Sequence, residues 1–585
     1  MNEVLEFERV TPEPGPDADA VRHEWVAHVE VDDPASAVLE VGGIATVWDL
    51  LVNDTVVATG RSMFERRSVD VSGAVRAGDN EVRVVVHPLT ELLDEMPRKP
   101  RARWRTMVVD EPRLRWVRTQ VLGRAPGFAP GPPVVGPYRP MVLTTGERPA
   151  PEGRLDEPWW PHTHGDAHPR GRRTVENRSD ASLDLWVNGE QVFVRGVVWT
   201  PGDLEALDTA AALGFNLVRV SGISAYESDD FYRRCDELGL MVWQDLMFAT
   251  LDYPLSDDDF RATVETEVRD QLARLAEHPC VVVVCGSAEH EQQAAMFGVS
   301  PSTGYAGELA AFLRPLVAES GLDAVWVDSS PSGGDPVVRV DTGIAQYFGV
   351  GAYRRDLSDA RHSGVRFASE CLAFSHLPHP VVPGGVPQDN GADWDFADVR
   401  EHYARARYGD NATEPERQRV TGEVMADVFG EWRRPGSVCG GGIVLWLRDL
   451  EPGAGWGLLD HTGAPKPAAL ALAPTLQPTA VWFVDEGLNG LDVHVAHDPG
   501  EPVDLTLTVE LLRVDGSAIE SAERSWSMEP RGHRRWTVDA MVGRFADSSY
   551  AYRFGPPPHA AVLARLRGEG INREAIWRVP AQMHP

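Results

Sequence analysis

Between residues 24 and 86 the chain alternates short apolar or β-branched runs, EWVAHVEV, SAVLEVGGI, TVWDLLVND and EVRVVVHP, with Gly, Asn and Asp turn signals. Strands at this spacing predict a β-sandwich. A Pro- and Gly-dense stretch at 123–140, GRAPGFAPGPPVVGPYRP, reads as loop or edge structure, because proline removes ladder donors. Residues 146–182 are polar and aperiodic and read as a connector. From 191 the pattern changes to apolar runs of parallel-strand type alternating with helical segments. The runs are QVFVRGVVW (191–199), FNLVRV (215–220), LMVWQD (240–245), VVVVCGSAE (281–289), AVWVDSS (324–330), TGIAQYFGV (342–350), GVRFASE (364–370) and GGIVLWLRD (441–449). Between the third and fourth, Phe260, Val264, Val268, Leu272 and Leu275 recur on one helical face. Eight such strands over about 280 residues is the number that a (β/α)8 TIM barrel requires. From about 473, GLDVHVAHD and VDLTLTVELLRVDG return to sandwich character.

Composition narrows the partners. The 585 residues carry 56 Lys and Arg against 88 Asp and Glu, a net charge of −32, which repels phosphate backbones and anionic lipid. Nucleic acid and membrane surfaces are therefore not expected as partners, and no apolar run reaches the roughly 18 residues of a membrane span. The N-terminal MNEVLEFERVTPEPG lacks the basic and apolar regions of a secretory signal. Cys235, Cys280, Cys285, Cys371 and Cys439 show no C-x-x-C spacing and read as reduced thiols in a cytoplasmic protein. On that reading the sequons at Asn53, Asn177 and Asn411 are chance matches.

In a TIM barrel the chemistry sits at the C-terminal strand ends. Glu289 closes the fourth run and Glu370 the seventh, a pair that can flank a glycosidic bond as acid/base and nucleophile. Position alone leaves open that each is a loop carboxylate or a salt-bridge partner, since Asp245 and Asp449 also close runs.

The surrounding words go further. The segments NGEQVFVRGVVWTPGD and NLVRVSGISAYESDDFYRRCDELGLMVWQDLMFATLDYP, then HPCVVVVCGSAEHE, SSPSGG, RFASECLAFSHLP and IVLWLRDLEPGAGWGLLDHTGAPKPA, resemble the catalytic barrel of glycoside hydrolase family 2, in its β-mannosidase branch. The line GGIATVWDLLVNDTVVATGRSMFERRSVDVSGAVRAGDNEVRV is similar to that family's jelly-roll domain. The resemblance implies a jelly-roll β-sandwich over 1–145, a connector over 146–190 left by a lost immunoglobulin-like domain, the catalytic TIM barrel over 191–472 and an immunoglobulin-like β-sandwich over 473–585. It implies Glu289 as acid/base, Glu370 as nucleophile, Arg219 as the nucleophile's partner and Trp446 as the floor of the sugar subsite. Trp199, Trp243, Asp245 and Tyr347 fall in matched words and take supporting or substrate-binding places. No cofactor is implied.

Departures from the family's words are concentrated around the sugar. Ala288 stands where an Asn binding the sugar 2-hydroxyl is expected, GRAPGFAP (123–130) where GWDWGP is, and Ser221 where a Trp is. Gln346 and Phe348 replace His and Trp, and Arg448 and Glu451 replace Asn and Trp. Retention of both carboxylates with a rewritten sugar shell predicts a retaining hydrolase acting on a small, modified β-glycoside. The alternatives are a transglycosylase or a non-catalytic carbohydrate-binding protein. His162, His164 and His168 fall in a stretch that reads as loop, without a completing ligand, so no metal site is expected, and Ser369 beside Glu370 lacks a nucleophile-elbow turn.

Overall fold

A computed structural model of the chain describes residues 2–15, 17–129, 131–146, 153–305, 307–389 and 391–579. The chain divides into two compact units, one of residues 1–155, 220–233 and 243–332, the other of 156–219, 234–242 and 333–585.

The first unit opens with the expected sandwich. A five-stranded antiparallel sheet orders Glu8–Arg9, His23–Val31, Gly78–Val86, Trp48–Val52 and Thr55–Gly60. A four-stranded sheet orders Asn2–Val4, Met141–Thr145, Ala37–Val41 and Arg67–Asp70. Along His23–Val31 alternate side chains are buried, and Trp25, Val29, Leu39, Trp48, Leu50, Val84 and Leu143 share one core. Asn53 and Asp54 take φ of 46° and 66°, the left-handed pair that a tight turn between Trp48–Val52 and Thr55–Gly60 demands. The predicted helix is Asp258–Leu275, capped by Asp257 accepting from Phe260 N at 2.9 Å, and its five marked apolar residues are all buried. Its polar Glu267 is equally buried and takes both arms of the Arg118 guanidinium, at 2.7 and 2.8 Å.

The barrel strands are β1 (Val194–Val198), β2 (Leu217–Val220), β3 (Met241–Asp245), β4 (Val281–Cys285), β5 (Val325–Val327), β6 (Ala345–Tyr347), β7 (Ala368–Cys371) and β8 (Gly441–Val444). All eight expected runs form strands of one sheet, ordered β5-β4-β3-β2-β1-β8-β7-β6, which is the cyclic order of a (β/α)8 barrel. Among the described residues no ladder joins β5 to β6. The strands are shorter than the runs. Glu289 lies four residues beyond β4 and Asp449 five beyond β8, so neither terminates a ladder as expected, whereas Asp245 closes β3 and Glu370 lies inside β7.

In the second unit, Val175–Asn177, Leu185–Val187 and Glu190–Gln191 make a small antiparallel sheet, and Trp159 is fully buried. The C-terminal sandwich pairs a three-stranded sheet (Thr479–Asp485, Leu491–His497, His533–Thr537) with a four-stranded one (Ala518–Met528, Val503–Leu512, Ala561–Gly568, Ile571–Arg578) around Val481, Val493, Leu507, Val509 and Val562. Asp498 joins this sandwich to the base of the barrel, pairing with Arg195 at 2.8 Å and Arg433 at 2.9 Å. The two guanidinium groups hold its carboxyl down at about 2 despite burial. The five cysteines are buried thiols, and among the described residues no helix is long and apolar enough to cross a membrane.

Candidate active site

Glu370 is 5% exposed, and its Oε1 accepts from Arg219 Nη1 at 3.3 Å. The same nitrogen donates to the carbonyl of Ser369 at 2.8 Å. Arg219 comes from β2 and is completely buried, so its charge has lost water and needs a carboxylate and carbonyls in exchange. The pair spans 151 positions of sequence and is created by the parallel strand order. Ser369 spends its hydroxyl on the carbonyl of Ala345 at 2.9 Å and is no nucleophile. At the end of β7, burial pushes the Cys371 thiol well up.

Trp446 follows β8 through a cis peptide bond, is 2% exposed, and its Nε1 is buried without a partner among the described residues. Its carbonyl accepts from Leu458 N at 3.1 Å. Trp199 lies one residue past β1, buried, its amide donating to the Arg219 carbonyl at 2.8 Å. Tyr347 ends β6 and gives its hydroxyl to Asp359 at 2.8 Å, while burial and that carboxylate push the phenol up. Its ring meets Trp432 edge-on, and its carbonyl accepts from Leu372 N at 3.2 Å.

A buried lysine escaped the sequence reading. Lys466 Nζ pairs with Asp449 and donates to the His376 carbonyl at 2.9 Å. Asp449 also accepts from Gly457 N at 2.6 Å, and His376 N donates to Gly455 O at 2.9 Å. The loops after β7 and β8, which carry Glu370 and Trp446 at their roots, are thereby tied together. Its signal in the sequence is a lysine at the head of an apolar helix, PKPAALALA, inside the last of the matched segments.

In the first unit, Glu289 takes φ of 60° and precedes the short helix His290–Met296. Its amide donates to Ser330 O at 2.8 Å. Its carboxyl oxygens accept from Gln292 Nε2 at 3.4 Å and Gln293 Nε2 at 3.2 Å. Gln293 in turn accepts from Thr106 Oγ1 at 3.0 Å, a residue of the N-terminal chain that no motif singles out. Asp245 is fully buried, with one oxygen accepting from Trp243 Nε1 at 2.7 Å and the other from Gly222 N at 2.9 Å. It therefore fixes the loop after β2, where a Cβ on Gly222 would sit 2.2 Å from the Phe248 carbonyl oxygen.

The substituted positions are filled compactly. Ala288 is 2% exposed, with its amide on Phe248 O at 2.8 Å, and Ser221 is also buried. Arg124, in the loop that stands in place of GWDWGP, makes a bidentate pair with Asp19 at 2.6 Å. Arg448 lies over Gly202 and donates to Pro201 O at 3.0 Å, and Glu451 is exposed. His162 and His164 bond to carbonyls and to Thr163, and burial pushes each down to about 4. Among the described residues no group of three or more His, Cys, Asp or Glu is placed to hold a metal.

Residues 20–139 match the family described as the glycosyl hydrolase 2 galactose-binding domain-like. A β-mannosidase B from Aspergillus clavatus is 26% identical over 515 residues, covering 72% of this chain and 59% of its own length. The chain thus spans about three-fifths of that relative. In fold it is similar to a β-D-mannosidase from Dictyoglomus thermophilum, with a TM-score of 0.79 at 18% identity, covering all of this chain and 89% of that one. It is also similar to an exo-chitosanase from Amycolatopsis orientalis, with a TM-score of 0.69 at 14% identity over 97% and 77% of the two chains. By its N-terminal domain, its relatives and its fold, the chain is similar to the β-mannosidases of glycoside hydrolase family 2.

Proposed function

We propose that the chain is a retaining O-glycosyl hydrolase of the β-mannosidase-like kind, acting on a small, modified β-glycoside by double displacement. The observation that carries the reading is the Arg219–Glu370 pair, a buried carboxylate whose charge is balanced so that it can attack the anomeric carbon. Glu289 protonates the leaving oxygen and then takes a proton from the water that releases the glycosyl enzyme. Its neutral amide donors, Gln292 and Gln293, suit a group that must carry and surrender a proton. Trp446 offers the sugar an aromatic face.

Ala288 and Ser221 support a changed substrate. A methyl group cannot hydrogen-bond a 2-hydroxyl, so a 2-deoxy, 2-amino or otherwise altered sugar loses less here than an ordinary mannoside. The five buried thiols suit a reducing cytoplasmic setting, which favours a small glycoside over a polymer as the hydrolysed substrate.

The test is turnover of a panel of aryl β-glycosides that includes 2-deoxy and 2-amino sugars, with NMR detection of the first anomer released. The reading predicts hydrolysis with retention, abolished in Glu370→Ala. Release of the inverted anomer removes the nucleophile assignment, since retention requires carboxyl groups about 5–5.5 Å apart. Silence across the panel removes the hydrolase reading itself.

A further inference from the structure

The C-terminal sandwich carries aromatic side chains for which the proposed reaction has no use. Phe545, Tyr552 and Phe554 are 63%, 42% and 81% exposed. Their rings touch one another: Phe545 stands edge-on to Tyr552 with centroids 5.3 Å apart, and Tyr552 lies within 21° of parallel to Phe554 at 6.1 Å.

The loop that presents them is firmly held. Asp539 accepts from Ala546 N at 2.6 Å and bonds the Ser548 hydroxyl. Buried Tyr550 donates to Gly555 O at 2.7 Å, and His559 Nε2 lies 2.9 Å from Ser548 O. Tyr552 donates to Leu488 O at 3.1 Å, which sets its ring. Within this short segment Asp547, Tyr550 and Arg553 take φ of 46°, 52° and 57°. Left-handed backbone at bulky residues is costly and persists where its surroundings impose it, a pattern that gathers at ligand clamps. So the loop spends conformational strain to hold rings in water.

We propose that Phe545, Tyr552 and Phe554 form a carbohydrate-stacking platform that binds a short β-linked oligosaccharide through the apolar C–H faces of its pyranose rings. The choice of ligand class rests on the glycoside reading above; the site itself does not. Aromatic faces are electron-rich and attract C–H groups, and rigid rings bind with little loss of conformational freedom. Exposed Arg553 adds donors for sugar hydroxyls at the rim. Size separates this ligand from a protein. The exposed ring surface amounts to roughly 400 Å² at about 150–250 Å² per aromatic side chain, below the ~800 Å² per partner of a stable protein pair.

The experiment is affinity electrophoresis of the full chain through gels containing a soluble β-1,4-mannan or a soluble β-1,4-glucan, beside the Phe545→Ala/Phe554→Ala double variant. Both positions are exposed, and thermal melting checks that the variant folds. The expected result is retardation of the natural chain by at least one polysaccharide, with the variant's apparent affinity lower by about tenfold or more and its aryl-glycoside turnover unchanged. Equal retardation of the two proteins, or none of the natural chain, overturns the proposal. So does sedimentation showing a dimer that the double substitution dissolves, for the rings are then a self-association surface. Ring-dependent retardation by a protein that hydrolyses no glycoside leaves the platform standing and removes the hydrolase reading; turnover without ring-dependent retardation does the reverse.

Discussion

The two proposed catalytic carboxylates sit in surroundings of opposite kind. Glu370 is paired with a fully buried guanidinium, whereas Glu289 is approached by the uncharged amides of Gln292 and Gln293. An ion pair opposes protonation of its carboxylate, and neutral donors oppose it far less. The backbone differs as well. Glu370 lies within a strand, paired with Gln346 of β6 at a break in the register with β8, and Glu289 occupies a left-handed turn before a short helix. A nucleophile benefits from rigid aim and a fixed charge, while a proton carrier benefits from a setting in which both of its states are tolerated.

The largest effect that sharpens this contrast is removal of the nucleophile. Glu370→Ala is expected to lower kcat by about 10⁴-fold or more for every glycoside, whatever its leaving group. Glu289→Ala should discriminate: a loss of about 10²–10⁴-fold for an alkyl leaving group, which needs a proton, and a far smaller loss in the first step for a dinitrophenyl one. Equal losses with both leaving groups in Glu289→Ala would break the assignment of acid to Glu289. Arg219→Gln comes next, with kcat/KM falling about 10²–10³-fold and urea unfolding showing about 3–5 kcal/mol lost as the buried carboxylate is stranded. A variant of normal activity and lower stability would reduce the pair to a structural salt bridge.

How far these features were legible depends on the range over which each is specified. The helix Asp258–Leu275 declares itself in its own residues, since burying Phe260, Val264, Val268, Leu272 and Leu275 on one side requires the 3.6-residue period. The barrel strands are equally local. Their ends are not: after Cys285 the chain leaves the ladder, and Ala288 and Glu289 bond to Phe248 and Ser330, partners that no run of apolar letters announces. The expectation that Glu289 ends a strand therefore fails by four residues while its identity was marked by the resemblance. Arg219 and Glu370 meet across 151 positions, and Asp449 reaches Lys466 across 17, so both pairs are products of topology. Both lie in matched words, but the resemblance assigned a role only to the first.

A smaller effect, on stability, separates the C-terminal sandwich and the segment before the barrel from ordinary surface. Burial pushes His494 down to about 3 and His533, His162 and His164 to about 4, against an ordinary value near 6.5. As pH falls, the unfolded chain takes up these protons before the folded one. The stability they confer is complete above about pH 6.5 and is lost as pH falls toward 4, at about 1.4 kcal/mol per pH unit for each histidine that stays neutral only when folded. His494 Nδ1 and His533 Nε2 are 3.2 Å apart, so the pair resists double protonation. Melting temperatures between pH 7.5 and 4.5 should drop with acid, and His494→Leu should flatten the dependence. A natural-chain melting curve independent of pH over that range would show that these imidazoles do not stay neutral through folding.

The smallest effect tests the rewritten sugar shell beside Glu289. Ala288→Asn restores the residue type that the family resemblance places before the acid/base. Ala288 is 2% exposed and its amide is already committed to Phe248, so the substitution adds an amide side chain to a fixed backbone. One hydrogen bond to a sugar hydroxyl contributes about 0.5–1.5 kcal/mol, and a bond that strengthens in the transition state appears in kcat rather than KM. The expected outcome is a gain of up to about tenfold in the preference for a 2-hydroxy over a 2-deoxy glycoside, read as a ratio of kcat/KM so that any general loss from crowding cancels. An unchanged ratio with intact folding would mean that Ala288 does not face the sugar's second carbon, and the case for a modified substrate would then have to rest on Ser221 and the loop around Arg124.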